Sequence, residues 1–372
     1  MKIAQVAPLM ESVPPRLYGG TERVVSYLCE ALVAEGHDVT LFASGDSVTD
    51  ARLVHCADSA IRLNPAVADH LPHYMIMLDK VRRSANQFDV IHFHIDALQM
   101  PLFRDISAKT VTTLHGRQDL PDLLPLYNAF PEMPLISISN AQREPIPDAN
   151  IVRTVYHGLP LDLLSPNYEP RGGYLAFLGR VSPEKGLDRA IAIARTLGMP
   201  LKIAAKIDKV DEGYFREVIT PLLGQNGVEF VGEINEGNKA KFLGDALALL
   251  FPIEWPEPFG LVMIEAMACG TPVLCFRRGS VPEIVDDRVT GRIIGSMDEA
   301  IRAVPETIRL NRRVVRRRFE ERFSARRMAK DYLEVYSGAG HVVLPVTERV
   351  ASTLGPNVIP IVRRGAVEHH AS

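Results

Sequence analysis

Two α/β domains that face one another across a cleft, each built on a parallel sheet, are the architecture predicted by this sequence of 372 residues. Short apolar runs alternate with helix-like stretches in two successive series, which is the pattern of strands joined by helical crossovers. A Pro- and Gly-rich segment, Leu161 to Gly173, separates the two series near residue 170. The hydrophobic share of 47% is enough for two cores without any apolar run of membrane length.

In the first series, strands are expected at Lys2 to Ala7, Val39 to Ala43, Val90 to His94, Thr110 to Leu114 and Leu135 to Ile138. Between the first two, Thr21 to Glu35 carries Val24, Val25, Leu28, Leu32 and Val33 at helical spacing and stops at Gly36. The second series predicts strands at Tyr174 to Leu178, Leu201 to Ala205, Val228 to Val231, Ala246 to Phe251 and Pro272 to Cys275. Arg309 to Tyr336 follows as a long charged helical region. The division expected is a first domain over 1–168, a second over 169–310, C-terminal helices over 311–336 and a tail over 337–372. In that tail the pattern is lost apart from a short strand-like run at Asn357 to Val362, so partial disorder is expected.

Composition narrows the function classes. A formal charge of −3 argues against bulk nucleic-acid binding. Met1-Lys2-Ile3 runs straight into a strand, so no secretory signal is expected and the location predicted is cytoplasmic. Cys29, Cys56, Cys269 and Cys275 have no metal-ligand spacing and read as reduced core residues. His92 and His94 alternate on one strand without a third ligand, so no metal site is expected. The first strand-to-helix turn, Pro8 to Gly20, is too long for a dinucleotide fingerprint, and no Walker-type Gly-Lys-Ser or Gly-Lys-Thr occurs.

The densest chemistry lies in Glu257-Pro-Phe-Gly-Leu-Val-Met-Ile-Glu265. An apolar strand, a Pro-rich turn and a helix beginning near Gly260 place the backbone N–H groups of Phe259, Gly260 and Leu261 at a helix N-terminus, where a phosphate is favoured. Glu265 lies further along the same helix, where its carboxylate could accept ribose hydroxyls. The segment therefore reads as a nucleotide pocket.

These residues resemble the signature of the retaining family 4 glycosyltransferases of the GT-B fold: a Glu, seven residues, and a second Glu. Gly19-Gly20-Thr21-Glu22, His115-Gly116, Ser137-Ile-Ser139-Asn140, Tyr156-His157-Gly158, Gly179-Arg180-Val-Ser-Pro-Glu-Lys185-Gly186 and Gly279-Ser280-Val-Pro-Glu283 match that family's pattern in order, from Met1 to about Tyr336. The similarity is greatest to the subgroup that contains avilamycin-type sugar transferases. The resemblance implies two facing Rossmann-like domains, with the last helices crossing back onto the first. It also implies transfer of a sugar from a nucleotide-diphosphate donor, a UDP-sugar resembling UDP-glucose or else GDP-mannose, to an acceptor hydroxyl with retention and without a metal or other cofactor.

Roles follow residue by residue. Arg180 and Lys185, expected just after a strand and just before a helix, would stabilise the departing diphosphate, because negative charge builds there as the glycosidic bond breaks. Gly19 and Gly20 would let the backbone approach the donor. The resemblance puts His115 beside the donor sugar, Glu257 near its anomeric carbon and Glu265 on the ribose. Lys206, where relatives carry a glycine-rich strand end, either reaches the nucleotide or is solvated, and Trp255 either packs under the sugar or fills the turn. The acceptor stays open: Pro14, Arg16, Asp96, Arg117 and Asp119 do not distinguish a glycan, a lipid-linked sugar or a small molecule. Arg312, Arg313, Arg316, Arg317 and Arg318 offer a peripheral contact to an anionic membrane, although Glu320 and Glu321 favour a solvated helix. A nucleotide-sugar epimerase on a related scaffold and a noncatalytic sugar-nucleotide or glycan-binding protein are the alternatives, and the set Arg180, Lys185, Glu257 and Glu265 favours the transferase over both.

Overall fold

The computed structural model describes residues 1–16, 19–62, 64–224 and 227–338; the expected strand at Asn357 to Val362 and the expected disorder of the tail lie outside the described residues. The chain builds two sheets in succession. The first contains β1 (Lys2–Val6), β2 (Asp38–Ser44), β3 (Arg52–Ala57), β4 (Val90–Phe93), β5 (Thr110–Thr113), β6 (Leu135–Ser137) and β7 (Ile151–Thr154) in the order β3-β2-β1-β4-β5-β6-β7. The second contains β8 (Leu175–Arg180), β9 (Leu201–Lys206), β10 (Val228–Gly232), β11 (Ala248–Phe251), β12 (Val273–Phe276) and β13 (Gly291–Ile294) in the order β10-β9-β8-β11-β12-β13. Every strand pairing is parallel.

In both sheets the strand order reverses once, between β1 and β4 and between β8 and β11. Neighbouring crossovers leave on opposite faces at such a point and open a crevice beyond the carboxyl ends of the strands. The helices Gly20–Ala34, after β1, and Leu261–Ala268, after β11, begin at these two crevices. The apolar stripe of the first is buried as its spacing predicts, with Val24, Val25, Leu28, Cys29 and Leu32 all in the core.

The C-terminal helices tie the halves together. Helix Arg312–Arg322 packs on Leu261–Ala268, and helix Ala325–Tyr336 packs on Gly20–Ala34 of the first half. The latter sends Tyr332 and Tyr336 into the core beneath the first sheet, where their hydroxyls reach Thr113 and Gln5. The arginine cluster divides: Arg313 and Arg317 are exposed and Arg318 is half-exposed, as a solvated helix face requires, whereas Arg312 and Arg316 turn inward. Arg312 is buried and donates to the carbonyls of Asn167, Gly244 and Ala246, and Arg316 is buried and donates to those of Leu161, Leu164 and Ala268. The guanidinium donors thus join carbonyls of the linking segment, Leu161, Leu164 and Asn167, to carbonyls of the second domain, Gly244, Ala246 and Ala268. Among the described residues no helix is long and apolar enough to cross a membrane.

The two halves also meet across the cleft. The Glu283 carboxylate accepts from the backbone N–H groups of Asn140 and Ala141 and from the Tyr156 hydroxyl, at 2.7–2.8 Å. Arg23 pairs with Glu236, and the His157 ring lies 4.7 Å from that of Phe259.

Candidate active site

A cleft of about 590 Å³ opens between the two crevices, and its lining includes Gly19, Gly20, His115, Arg180, Lys185, Lys206, Glu257, Phe259, Gly260, Leu261 and Glu265. Residues up to 246 positions apart in sequence converge because both sheets aim their carboxyl strand ends at the same space. The volume falls in the range of small-molecule sites.

Two helix N-termini point into it. Gly260 caps the helix Leu261–Ala268 with φ at 80°, in the left-handed region, and a Cβ there would lie 2.6 Å from Met263 Cε. Gly19 caps the helix Gly20–Ala34 at φ 153°, where a Cβ would meet Pro15 at 2.7 Å. Neither cap makes a side-chain hydrogen bond. Both corners therefore require glycine, and both present a positive helix end to the cleft.

The cations are held in place by carboxylates. Arg180 is the last residue of β8 and belongs to the strand, which runs two residues beyond its expected end at Leu178. Its Nη2 donates to Glu184 at 2.6 Å, with Asp208 at 3.8 Å from Nη1. Lys185 ends a short 3₁₀ turn, Pro183–Lys185, and donates to Glu257 Oε2 at 2.5 Å, with its ammonium 4.7 Å from the centre of the Trp255 ring. Trp255 Nε1 donates to the same carboxylate oxygen at 2.7 Å. Trp255 thus aligns Glu257 and Lys185 instead of only filling the turn. Lys206 ends β9, lines the cleft and pairs with Asp208 at 2.7 Å.

Glu265 is almost fully buried, and Oε1 accepts from Lys239 Nζ at 2.6 Å. Lys239 also pairs with Glu236, which pairs with Arg23. A carboxylate oxygen has more than one acceptor direction, so Lys239 leaves Glu265 room to receive hydroxyls while fixing its rotamer. Lys239 was not singled out in the sequence, since a lysine in Glu236–Gly244 reads as a solvated helix charge. Met10, Glu11 and Arg62 also line the cleft and were missed; Glu11 and Arg62 form an ion pair there.

His115 follows β5 and is one of four clustered imidazoles. Its Nε2 lies 2.9 Å from His94 Nδ1, and its ring is parallel to that of His157, 5.4 Å away. Burial pushes His115 down to about 3 and is the largest cause holding His92, His94 and His157 well below the usual histidine value. All four are neutral near pH 7. The His92 ring nitrogens bond to Tyr336 and Thr113, and His94 Nε2 bonds to Gln5.

Of the candidate acceptor residues, Arg117 pairs with Asp119 at 2.6 Å and lies 5.9 Å from the Trp255 ring centre. Asp96 takes a positive φ of 54°, and the His115 backbone N–H bonds to its carboxylate. The described residues contain no group of three or more His, Cys, Asp or Glu side chains arranged for a metal ion.

Comparison with known proteins agrees with this geometry. Residues 18–144 match the family described as Glycosyltransferase Family 4, and residues 167–322 match Glycosyl transferases group 1. An uncharacterised glycosyltransferase of Methanocaldococcus jannaschii is 25% identical over 336 residues, which cover 78% of this chain and 84% of the relative. Among solved structures, a glycosyltransferase involved in avilamycin A biosynthesis superposes with a TM-score of 0.67 at 22% identity, over 91% of this chain and 98% of the other. An Anabaena protein, HepE, in complex with UDP and glucose, has a TM-score of 0.68 at 19% identity, over 91% of this chain and all of its own. These superpositions establish the fold as GT-B. The two matched domains follow one another in the order that fold requires, and the chain is a glycosyltransferase of the family 4 and group 1 type.

Proposed function

We propose that the cleft binds a nucleotide-diphosphate sugar, a UDP-sugar resembling UDP-glucose before GDP-mannose, and transfers the sugar to an acceptor hydroxyl with retention and without a metal ion. The observation that carries this reading is the convergence of Arg180, Lys185, Glu257 and Glu265 on one cleft, beside the open helix N-terminus at Gly260. Cations and a helix N-terminus suit a diphosphate, and a fixed, buried carboxylate suits vicinal hydroxyls. The Anabaena neighbour, solved with UDP and glucose, supports a UDP-sugar as the first donor to test.

In this reading Glu265 receives the ribose, and the diphosphate lies across the Gly260 corner with Arg180 and Lys185 on its oxygens. The Lys185–Glu257 pair then sets Glu257 next to the transferred sugar. The acceptor hydroxyl attacks the anomeric carbon on the face from which the diphosphate leaves. The C–O bond to phosphate breaks as the new glycosidic bond forms, and a donor phosphate oxygen takes the acceptor proton. No protein nucleophile is needed, and the two-carboxylate route of glycosidases does not apply, because Glu265 is committed to the ribose.

A thermal-shift panel of nucleoside diphosphates and their sugars, run with and without EDTA, tests this directly. A ligand bound only by the folded state raises the melting temperature with the logarithm of its excess. The expected result is stabilisation by UDP and a UDP-sugar, with donor hydrolysis that survives chelation. No shift with any nucleotide would contradict the donor assignment. Activity abolished by EDTA and restored by magnesium or manganese would contradict metal independence.

A further inference from the structure

Behind His115 a line of buried polar side chains crosses the first sheet to the C-terminal helix. His115 Nε2 meets His94 Nδ1 at 2.9 Å, His94 Nε2 meets Gln5 Oε1 at 2.8 Å, and Gln5 Nε2 donates to the Tyr336 hydroxyl at 3.1 Å. Tyr336 then meets His92 Nδ1 at 2.7 Å, and His92 Nε2 meets Thr113 Oγ1 at 2.7 Å. His92, His94 and Gln5 are at most 2% exposed. Most residues at a strand end beneath a cleft are apolar, so a relay of this length needs a reason beyond packing.

The direction of each bond follows from its neighbours. The Gln5 carbonyl oxygen can only accept, so His94 carries its proton on Nε2. A neutral imidazole has one N–H, which makes His94 Nδ1 an acceptor and places the proton of the His94–His115 bond on His115 Nε2. His115 Nδ1 is then unprotonated, and among the described residues it makes no hydrogen bond. The far end agrees, because a phenol O–H donating to imidazole Nδ1 suits the short contact between Tyr336 and His92 better than the reverse.

We propose that His94 is a positioning residue that holds His115 in the Nε2–H tautomer and turns an unprotonated Nδ1 toward the cleft, where it accepts a hydroxyl of the transferred sugar. The sugar in this statement rests on the function proposed above; the tautomer does not. Gln5 and Tyr336 fix the polarity of the relay from behind. With the other tautomer the same hydroxyl would have to accept from the ring N–H and give its own proton elsewhere, so the tautomer sets which way that sugar hydroxyl is used.

Long-range nitrogen–proton correlation spectra of the full-length, histidine-labelled protein near pH 7 read the tautomer without any substrate, with the His115 signals assigned by their loss in His115→Asn. The expected spectrum shows a pyrrole-type Nε2 and a pyridine-type Nδ1 for His115. An Nδ1–H tautomer or a charged His115 in the wild-type protein overturns the proposal, whatever any variant does. His94→Ala is expected to release the tautomer into a mixture and to lower kcat/KM for UDP-glucose hydrolysis roughly ten- to a hundredfold. UDP affinity by calorimetry should stay within twofold or so of wild type. His94→Gln restores an acceptor oxygen and is expected to recover both the tautomer and most of the rate. A His94→Ala protein with the wild-type tautomer also overturns it. If the tautomers behave as stated while UDP-glucose neither binds nor reacts, the relay stands and the donor assignment falls.

Discussion

The carboxylates Glu257 and Glu265 carry a residue-level distinction that the structure sharpens. Each is held by its own lysine, Glu257 by Lys185 and Glu265 by Lys239, so their losses should differ. Glu265→Ala removes the proposed ribose acceptor and is expected to weaken nucleoside diphosphate binding by about 1.5–3 kcal/mol, the range for hydrogen bonds to a charged group. Glu257→Ala should leave that binding unchanged or tighter, because Lys185 loses its competing carboxylate, while turnover falls; calorimetry beside donor hydrolysis rates separates the two. Equal diphosphate affinity in Glu265→Ala and wild type would sink the ribose assignment. At this scale the sequence was most legible where residues sit in turns of forced geometry, such as Gly260 and the Arg180 to Gly186 segment. Lys239 and Gln5 were not legible. A lysine on a polar helix and a glutamine inside an apolar strand show nothing locally, and only the tertiary fold brings one to Glu265 and the other to His94.

Elements were legible where an apolar run marked them, whatever their burial: β13 is buried throughout and was missed, while the half-exposed β10 was expected. Central strands such as β11 and β12 are buried along their whole length and read as continuous apolar runs. The strands missed are β3, β7 and β13, all at the ends of their sheets. Arg52–Ala57 and Ile151–Thr154 are largely half-exposed and mix polar with apolar residues, while Gly291–Ile294 is short and opens on Gly-Arg, so none offers the run that marks a strand. One short element has a consequence for closure. The helix Asn140–Arg143 takes its N-cap from Ser139 and two further acceptor contacts from Glu283 of the other domain; burial, and then the hydrogen bond to that same carboxylate, pushes Tyr156 up to about 12. Glu283→Ala removes this clasp without touching the cations. The expected outcome is a larger radius of gyration without donor and a donor KM raised roughly tenfold, with UDP still closing the molecule. Unchanged scattering and unchanged KM would show that the clasp does not hold the domains.

Over the whole molecule, four neutral histidines couple the site to stability. The folded values of His92, His94, His115 and His157 lie below the roughly 6.5 of an unfolded histidine, so the unfolded chain binds more protons as pH falls. Their contribution is present above about pH 6.5 and is lost as the pH drops toward the folded values. Each contributes a slope of up to about 1.4 kcal/mol per pH unit below its unfolded pKa. Urea unfolding at a series of pH values should show stability falling steeply below about pH 6.5, and a flat profile down to about pH 5 would contradict the neutral cluster. The central claim, that both domains close on a nucleotide-sugar whose nucleotide belongs to the second sheet, is tested most directly by locating bound UDP in a crystal of the complex. The account predicts density for the diphosphate across the Gly260 corner, in reach of Arg180 and Lys185, with the ribose hydroxyls on Glu265 while Lys239 keeps its hold on that carboxylate. A diphosphate bound elsewhere, for instance beside Arg62 on the first domain, or a ribose out of reach of Glu265, would contradict it.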